Sequence, residues 1–163
     1  MTLSGGIGRL LRGRRVALIL ASWFCIALPA QAAELSGRAE AQAGDRLTIA
    51  GRIVLLYGAL APQPQQRCFD KSLPWWCGKS SREHLERLVK DRQVICVERG
   101  RSGEGHMLAT CRVRDVDLAE AQITAGLAKA DPKSGTAYLM SERAAREAQT
   151  GLWHGNGEGT FVP

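Results

Sequence analysis

The sequence predicts an α+β domain dominated by strands, a five-stranded OB-fold-like barrel with about three helices. Three observations lead there. Five short runs alternate or concentrate apolar and β-branched residues between turns bearing Gly or Pro. One helical pattern interrupts them after the third run, and two more follow the fifth. At 163 residues the chain has room for one domain with a modest core.

The first strand is placed at Leu35 to Ala41, before a turn at Gln42-Ala43-Gly44. Arg46 to Ile49 and Arg52 to Tyr57 follow as a meander joined by Ala50-Gly51. Gly58-Ala59-Leu60-Ala61-Pro62 then leaves the sheet, because proline lacks the backbone donor that an interior strand needs. A loop from Ala59 to Lys79 holds Pro62, Pro64 and Pro74 and the pair Trp75-Trp76.

Ser80 or Ser81 is expected to cap a helix reaching about Lys90, with Leu85, Leu88 and Val89 on one face. Glu83/Arg87 and Glu86/Lys90 stand four apart on the solvent side, and His84 is read as an ordinary half-exposed residue. Gln93 to Arg99 and Met107 to Val113 form a hairpin across Gly100-Arg101-Ser102-Gly103-Glu104-Gly105. That glycine string lacks the Lys-Ser/Thr of a phosphate loop. Asp117 and Glu120 make a capping box for a helix through about Ala125, stopped at Gly126. A last helix is expected from Thr136 to Thr150, with Tyr138, Ser141, Ala145, Ala148 and Leu152 on one face and Gly151 at its stop.

Residues 1–33 read as a leader and 34–163 as the folded domain. Arg9, Arg12, Arg14 and Arg15 form a basic start, Val16 to Leu28 an apolar stretch, and Ala30-Gln31-Ala32 a small-x-small cleavage site. The apolar stretch is shorter than the roughly 20 residues of a membrane span, which sets a cleaved leader above an uncleaved anchor. Arg14-Arg15 also suits twin-arginine export, and Cys25 has no lipobox around it. An exported protein, periplasmic or secreted, is the expectation, with no membrane span after cleavage. The leader also explains the charge. The chain carries 22 Lys+Arg and 16 Asp+Glu, a net +6, and removing the four leader arginines leaves 18 against 16, a net +2. Such a balance argues only weakly for a nucleic-acid partner.

Four cysteines follow the leader: Cys68, Cys77, Cys96 and Cys111. An even count in a small exported domain favours disulfides over zinc, and no CxxC pair or histidine cluster supports a metal site. Three pairings exist in principle. Cys68 and Cys77 flank one loop, whereas Cys96 and Cys111 sit in neighbouring strands of a hairpin, so Cys68–Cys77 and Cys96–Cys111 are predicted.

Ala43-Gly44-Asp45-Arg46 and Leu55-Leu56-Tyr57-Gly58-Ala59-Leu60-Ala61-Pro62-Gln63 carry a family resemblance. With Cys…Trp-x-Cys-Gly, Leu-Ala-Thr-Cys, Gly-Leu-Trp and the closing Phe161-Val162-Pro163, the stretch from about Gly37 to Pro163 resembles the staphylococcal nuclease-like (thermonuclease) family. The resemblance implies the same barrel. It also implies a phosphodiesterase site in which two aspartates hold calcium, two arginines face phosphate and a glutamate handles water. Carried over, Asp45 matches the first metal aspartate, but the second falls on Leu60. The arginines fall on Leu55 and on His106 of Glu104-Gly105-His106, the glutamate on Gln63 and the motif threonine on Arg46.

Leucine cannot ligate a metal, glutamine cannot serve as a base, and histidine is shorter than arginine and mostly neutral near pH 7. Losing one electrostatic donor can cost ~10²–10³ in rate, and here four groups are gone. The reading that follows is an exported nuclease-like domain without nuclease activity, kept for a binding or structural role and needing no cofactor. One alternative is a divergent nuclease in which Arg46, His106 and the carboxylates of Glu40, Asp45 and Glu104 replace the lost groups and calcium still binds. The other is an oligonucleotide- or saccharide-binding OB module, with Trp75 and Trp76 as stacking platforms and Arg46 as a further candidate binding residue. The ordinary role of such a tryptophan pair is packing beneath a disulfide-closed loop.

Overall fold

The computed structural model describes residues 33–70 and 73–156. The leader, Cys25 included, lies outside the described residues apart from Ala33, and so does Phe161-Val162-Pro163.

Five strands form the barrel: β1 (Glu34–Ala43), β2 (Arg46–Ile49), β3 (Arg52–Leu56), β4 (Gln93–Arg101) and β5 (Met107–Val113). β1 is long enough to pair with β2 through its second half and with β4 through its first. The order is β3-β2-β1-β4-β5, and a parallel pairing of β3 with β5 closes the ring, with Val54 opposite Met107 and Leu55 opposite Leu108. Closure removes the exposed strand edges that would otherwise invite aggregation.

Period-two alternation decides which residues go inside. Leu47, Ile49, Val54, Leu56, Val94, Ala109 and Cys111 are buried, while Thr48, Leu55, Tyr57, Leu108, Thr110 and Arg112 stand on the outer face to varying exposure. The Ala50-Gly51 turn has positive φ at both residues, 48° and 74°, the twist that a tight hairpin between right-twisted strands requires. Cys96 lies opposite Cys111 in the β4–β5 pair and is bonded to it, and Cys68 is bonded to Cys77. Both pairings read from the sequence are present.

The helices are α1 (Cys77–Val89), α2 (Leu118–Thr124) and α3 (Leu139–Glu147). Leu85 and Val89 of α1 are buried in the barrel core, and Leu118 and Ile123 of α2 join them. A fully buried side chain of this size contributes about 1.5–3 kcal/mol. Asp117 caps α2 as expected, its Oδ1 accepting from Ala119 N at 3.0 Å and Glu120 N at 3.2 Å. The reciprocal half of a capping box is replaced, because Glu120 Oε1 accepts from Ser141 Oγ of α3.

Several boundaries differ from expectation. α1 starts four to five residues earlier than the serines suggested, at the disulfide-bonded Cys77, and its N-cap Trp76 makes no side-chain cap. Ser81 is fully buried instead, and its hydroxyl donates to Leu127 O at 2.6 Å. α3 is shorter than Thr136–Thr150. A 3-10 turn at Pro132–Ser134 and Gly135, with φ 73°, break the helical path before it, and Gly151–Asn156 continues as a second 3-10 turn. On its expected face Tyr138, Ala145 and Leu152 are buried, but Ala148 is exposed. The Ala59–Lys79 loop contains a short hairpin, Cys68–Asp70 with Leu73–Trp75, and Ala59–Leu60 pairs with Lys129–Ala130.

Candidate functional site

The turn between β1 and β2 places Asp45 at one end of the barrel. Its Oδ2 accepts from Ala61 N at 2.9 Å, and its backbone carbonyl accepts from Leu56 N at 2.8 Å. One residue thereby joins the β1–β2 turn to both ends of the segment that leaves β3. Burial pushes the Asp45 carboxyl above its ordinary value, opposed by the Ala61 N–H and by neighbouring Arg46.

Close approach explains the glycine before it. A Cβ on Gly44 would lie 1.7 Å from Ser81 Oγ and 2.8 Å from the Ala61 Cβ, so only glycine lets the turn pass between Ser81 of α1 and Ala61. The Gly44 carbonyl is then held from below by Gln122, fully buried in α2. Gln122 Nε2 donates to Gly44 O at 2.6 Å, to Ser81 O at 3.0 Å and to Ser81 Oγ at 3.3 Å, while its Oε1 accepts from His84 Nδ1. His84 is thus a partner of a buried amide, which helical spacing alone did not disclose.

Arg46 faces Leu55 across β2–β3, and Leu55 faces Leu108 across β3–β5. Leu60 immediately precedes Ala61 and lies opposite Lys129, whose ammonium sits 5.7 Å from the centre of the Trp153 ring. His106 precedes Met107 at the start of β5, and its Nε2 is 3.3 Å from Glu104 Oε2. Gln63 is exposed, its backbone N–H donating to Gln66 Oε1 at 3.2 Å. Arg46 Nε is buried without a hydrogen-bond partner. Among the described residues no three His, Cys, Asp or Glu side chains gather as a metal-binding group. Glu40 in particular lines a separate charged cleft with Arg38, Arg82 and Glu86.

The two loop tryptophans take different roles. Trp75 is half-buried against Cys68, Cys77 and Leu152. Trp76 is 49% exposed, with the Arg67 guanidinium 4.3 Å above its ring.

A second concavity continues the outer face beyond Leu55 and Leu108. Tyr57, Arg99, Thr110, Arg112, Asp117, Glu120, Ala137 and Tyr138 line it, and its volume is about 390 Å³. Arg99 occupies a β-bulge, where β4 shifts register between Glu98 and Gly100, and its Nε donates to Thr110 Oγ1 at 2.9 Å. Asp117 Oδ2 accepts from the Tyr138 hydroxyl at 3.1 Å and lies 3.6 Å from Arg112. Burial and the adjacent Asp117 raise the Tyr138 phenol far above its ordinary value, so it remains a hydrogen-bond donor. None of this cleft was singled out from the sequence. The outward positions of β3 and β5 were legible, but nothing local announced the bulge that brings Arg99 to them.

Comparison with known proteins fits this geometry. The chain is 28% identical over 149 residues to the succinoglycan biosynthesis protein ExoI of Rhizobium meliloti (strain 1021), an alignment spanning 89% of this chain and 78% of that protein. The family described as Staphylococcal nuclease homologue matches residues 57–155, from the end of β3 to the final 3-10 turn. That match includes Leu60, Gln63 and His106, and Asp45, Arg46 and Leu55 lie outside it. With the closed barrel and three helices in place, the chain belongs to the staphylococcal nuclease homologue family.

Proposed function

We propose that this protein is an exported, non-hydrolytic member of its family that acts as a binding domain in polysaccharide biosynthesis. The loss of hydrolysis is carried by the side chains at the family's motif positions. By the resemblance, the second metal aspartate, the two arginines and the glutamate fall on Leu60, Leu55, His106 and Gln63. These residues do not fit a calcium ion. Calcium takes 6–8 oxygen ligands, whereas Leu60 offers no side-chain oxygen and one oxygen of Asp45 is taken by the Ala61 N–H. Burial further disfavours the charged form of Asp45. Leu55, paired with Arg46, and Leu60, next to Ala61, add apolar side chains to these segments, which opposes holding either calcium or phosphate.

Export is supported by the leader pattern of residues 1–33 and by two disulfides in a domain of this size. The polysaccharide connection rests on the relative, whose name places that protein in succinoglycan biosynthesis. The test is cleavage of DNA and RNA with calcium present, by the native protein and by a quadruple variant carrying Leu55→Arg, Leu60→Asp, Gln63→Glu and His106→Arg. The native protein is expected to show no calcium-dependent cleavage, and activity gained by the variant would establish the loss. Native cleavage within about ten-fold of an active relative would overturn the reading, because losing one donor alone is worth ~10²–10³.

A further inference from the structure

We propose that the cleft lined by Tyr57 and Thr110 is a subsite for an acidic saccharide, in which Arg99 takes the sugar carboxylate. This deepens the binding reading above and rests on it. The cleft of about 390 Å³ falls within the ~300–1,000 Å³ of small-molecule sites. Its groups divide into committed and available ones. The Asp117 carboxylate is consumed by the α2 cap, by the Tyr138 hydroxyl and by Arg112. Arg112 is held by that carboxylate and by Asp115 O at 3.5 Å. Arg99 is exposed and spends only its Nε, on Thr110, leaving both terminal amino groups unpaired among the described residues. A guanidinium anchored in this way presents the planar fork that a carboxylate meets with two parallel hydrogen bonds.

The remaining groups choose the ligand class. Arg99 and Arg112 are balanced by Asp117 and Glu120, so the cleft is close to neutral, unlike the basic track that a nucleic-acid backbone needs. A ligand with one carboxylate, many hydroxyls and an apolar ring face satisfies all of it. Its carboxylate meets Arg99, a hydroxyl donates to the Glu120 oxygen that Ser141 does not use, and the face of its ring lies on half-buried Tyr57. Tyr138 and Asp117 act as positioning residues that keep Arg112 and the start of α2 in place.

The test is calorimetric titration of the full-length, disulfide-intact protein with three probes: an oligogalacturonate, its methyl ester and a thymidine oligonucleotide. The oligogalacturonate is expected to bind and the ester to bind more weakly. Arg99→Ala should weaken the acidic probe by ~10-fold or more, as loss of a charge-assisted bond does. Arg99→Lys should restore only part of that, because lysine lacks the fork. Absence of oligogalacturonate binding, equal affinity for the ester, or indifference to Arg99→Ala would each overturn the proposal. Tighter, Arg99-dependent binding of the oligonucleotide would overturn it in favour of nucleic acid. The proposal and the wider reading fail separately. No cleavage and no saccharide binding would remove this ligand class alone, whereas calcium-dependent cleavage would remove the non-hydrolytic reading without altering the dependence on Arg99.

Discussion

Gln122→Leu isolates the amide that holds the Asp45 turn. Leucine has nearly the volume of glutamine, so packing changes little and the polar contacts disappear. Gly44 O loses its donor at 2.6 Å, and Ser81 loses bonds at both its carbonyl and its hydroxyl. The Ser81 hydroxyl keeps Leu127 O as a partner, and half-exposed His84 can turn to water, so those losses are mild. The Gly44 carbonyl sits in a turn too tight for a Cβ and cannot be rehydrated without opening it. Orphaning one buried carbonyl, with a weaker contribution from Ser81, costs about 2–4 kcal/mol at ~1–3 kcal/mol per group. Against a total stability of ~5–15 kcal/mol this is a large fraction.

Urea unfolding followed by tryptophan fluorescence measures it. With a slope of ~1–3 kcal/mol per molar, the midpoint should fall by roughly 1–2 M. Gln122→Glu should be no better, because it keeps the acceptor for His84 but turns the donor facing Gly44 O into a second acceptor. A double-mutant cycle with Ser81→Ala should show coupling of ~0.5–3 kcal/mol, since the two side chains share one network. A loss below about 1 kcal/mol for Gln122→Leu, or strict additivity with Ser81→Ala, would refute the assignment of the network as what fixes the turn.

Asp45 supplies a pH prediction. Its folded-state pKa is raised, so between the ordinary carboxylate value and that raised value the native state binds more protons than the unfolded chain. Its contribution is therefore most favourable below the ordinary value and is lost as pH rises through the folded one. Asp45→Asn, which retains an acceptor for Ala61 N–H, should be at least as stable as the native protein at neutral pH, and the difference should shrink on acidification. A native advantage at neutral pH that grows with added calcium would contradict both the sign and the absence of a metal. Replacing Cys96 and Cys111 together by Ala releases a closure spanning a sequence separation of 15 residues. The entropic estimate for such a loop is about 3 kcal/mol, readable as a lower urea midpoint, and an unchanged midpoint would show that the hairpin holds without its cross-link.

The barrel was legible because its signal is local and periodic. Leu47 and Ile49, then Val54 and Leu56, alternate inward in runs that need no distant information to be read. Helix ends were less legible because long-range partners override local preference. Ser80 and Ser81 look like caps, but the Ser81 hydroxyl is claimed by Leu127, 46 residues away, and the helix begins where Cys77 is tied to Cys68. Likewise Tyr138 resembled part of a helical stripe, yet it precedes α3 and is drawn to Asp117. At the site, the motif around Asp45 could be read only through family resemblance. The bulge that carries Arg99 had no sequence mark at all, since a register shift depends on how two strands pair.

The same alternation separates fold from chemistry. The residues that close this barrel are the inward set, and none of Leu55, Leu60, Gln63 or His106 belongs to the buried core. Exchanging outward side chains on a closed sheet leaves the inward packing intact, so membership of the family carries the architecture and does not by itself carry a reaction. What the outer face can do depends on which groups remain unspent there. Arg46 has a buried Nε without a partner beside Leu55, and Arg99 has an open fork beside Tyr57. On the proposed reading, a surface with leucine at one metal position and one arginine position of the family, beside guanidinium groups and a tyrosine, is equipped to hold a ligand and poorly equipped to stabilise the extra charge of a phosphodiester transition state.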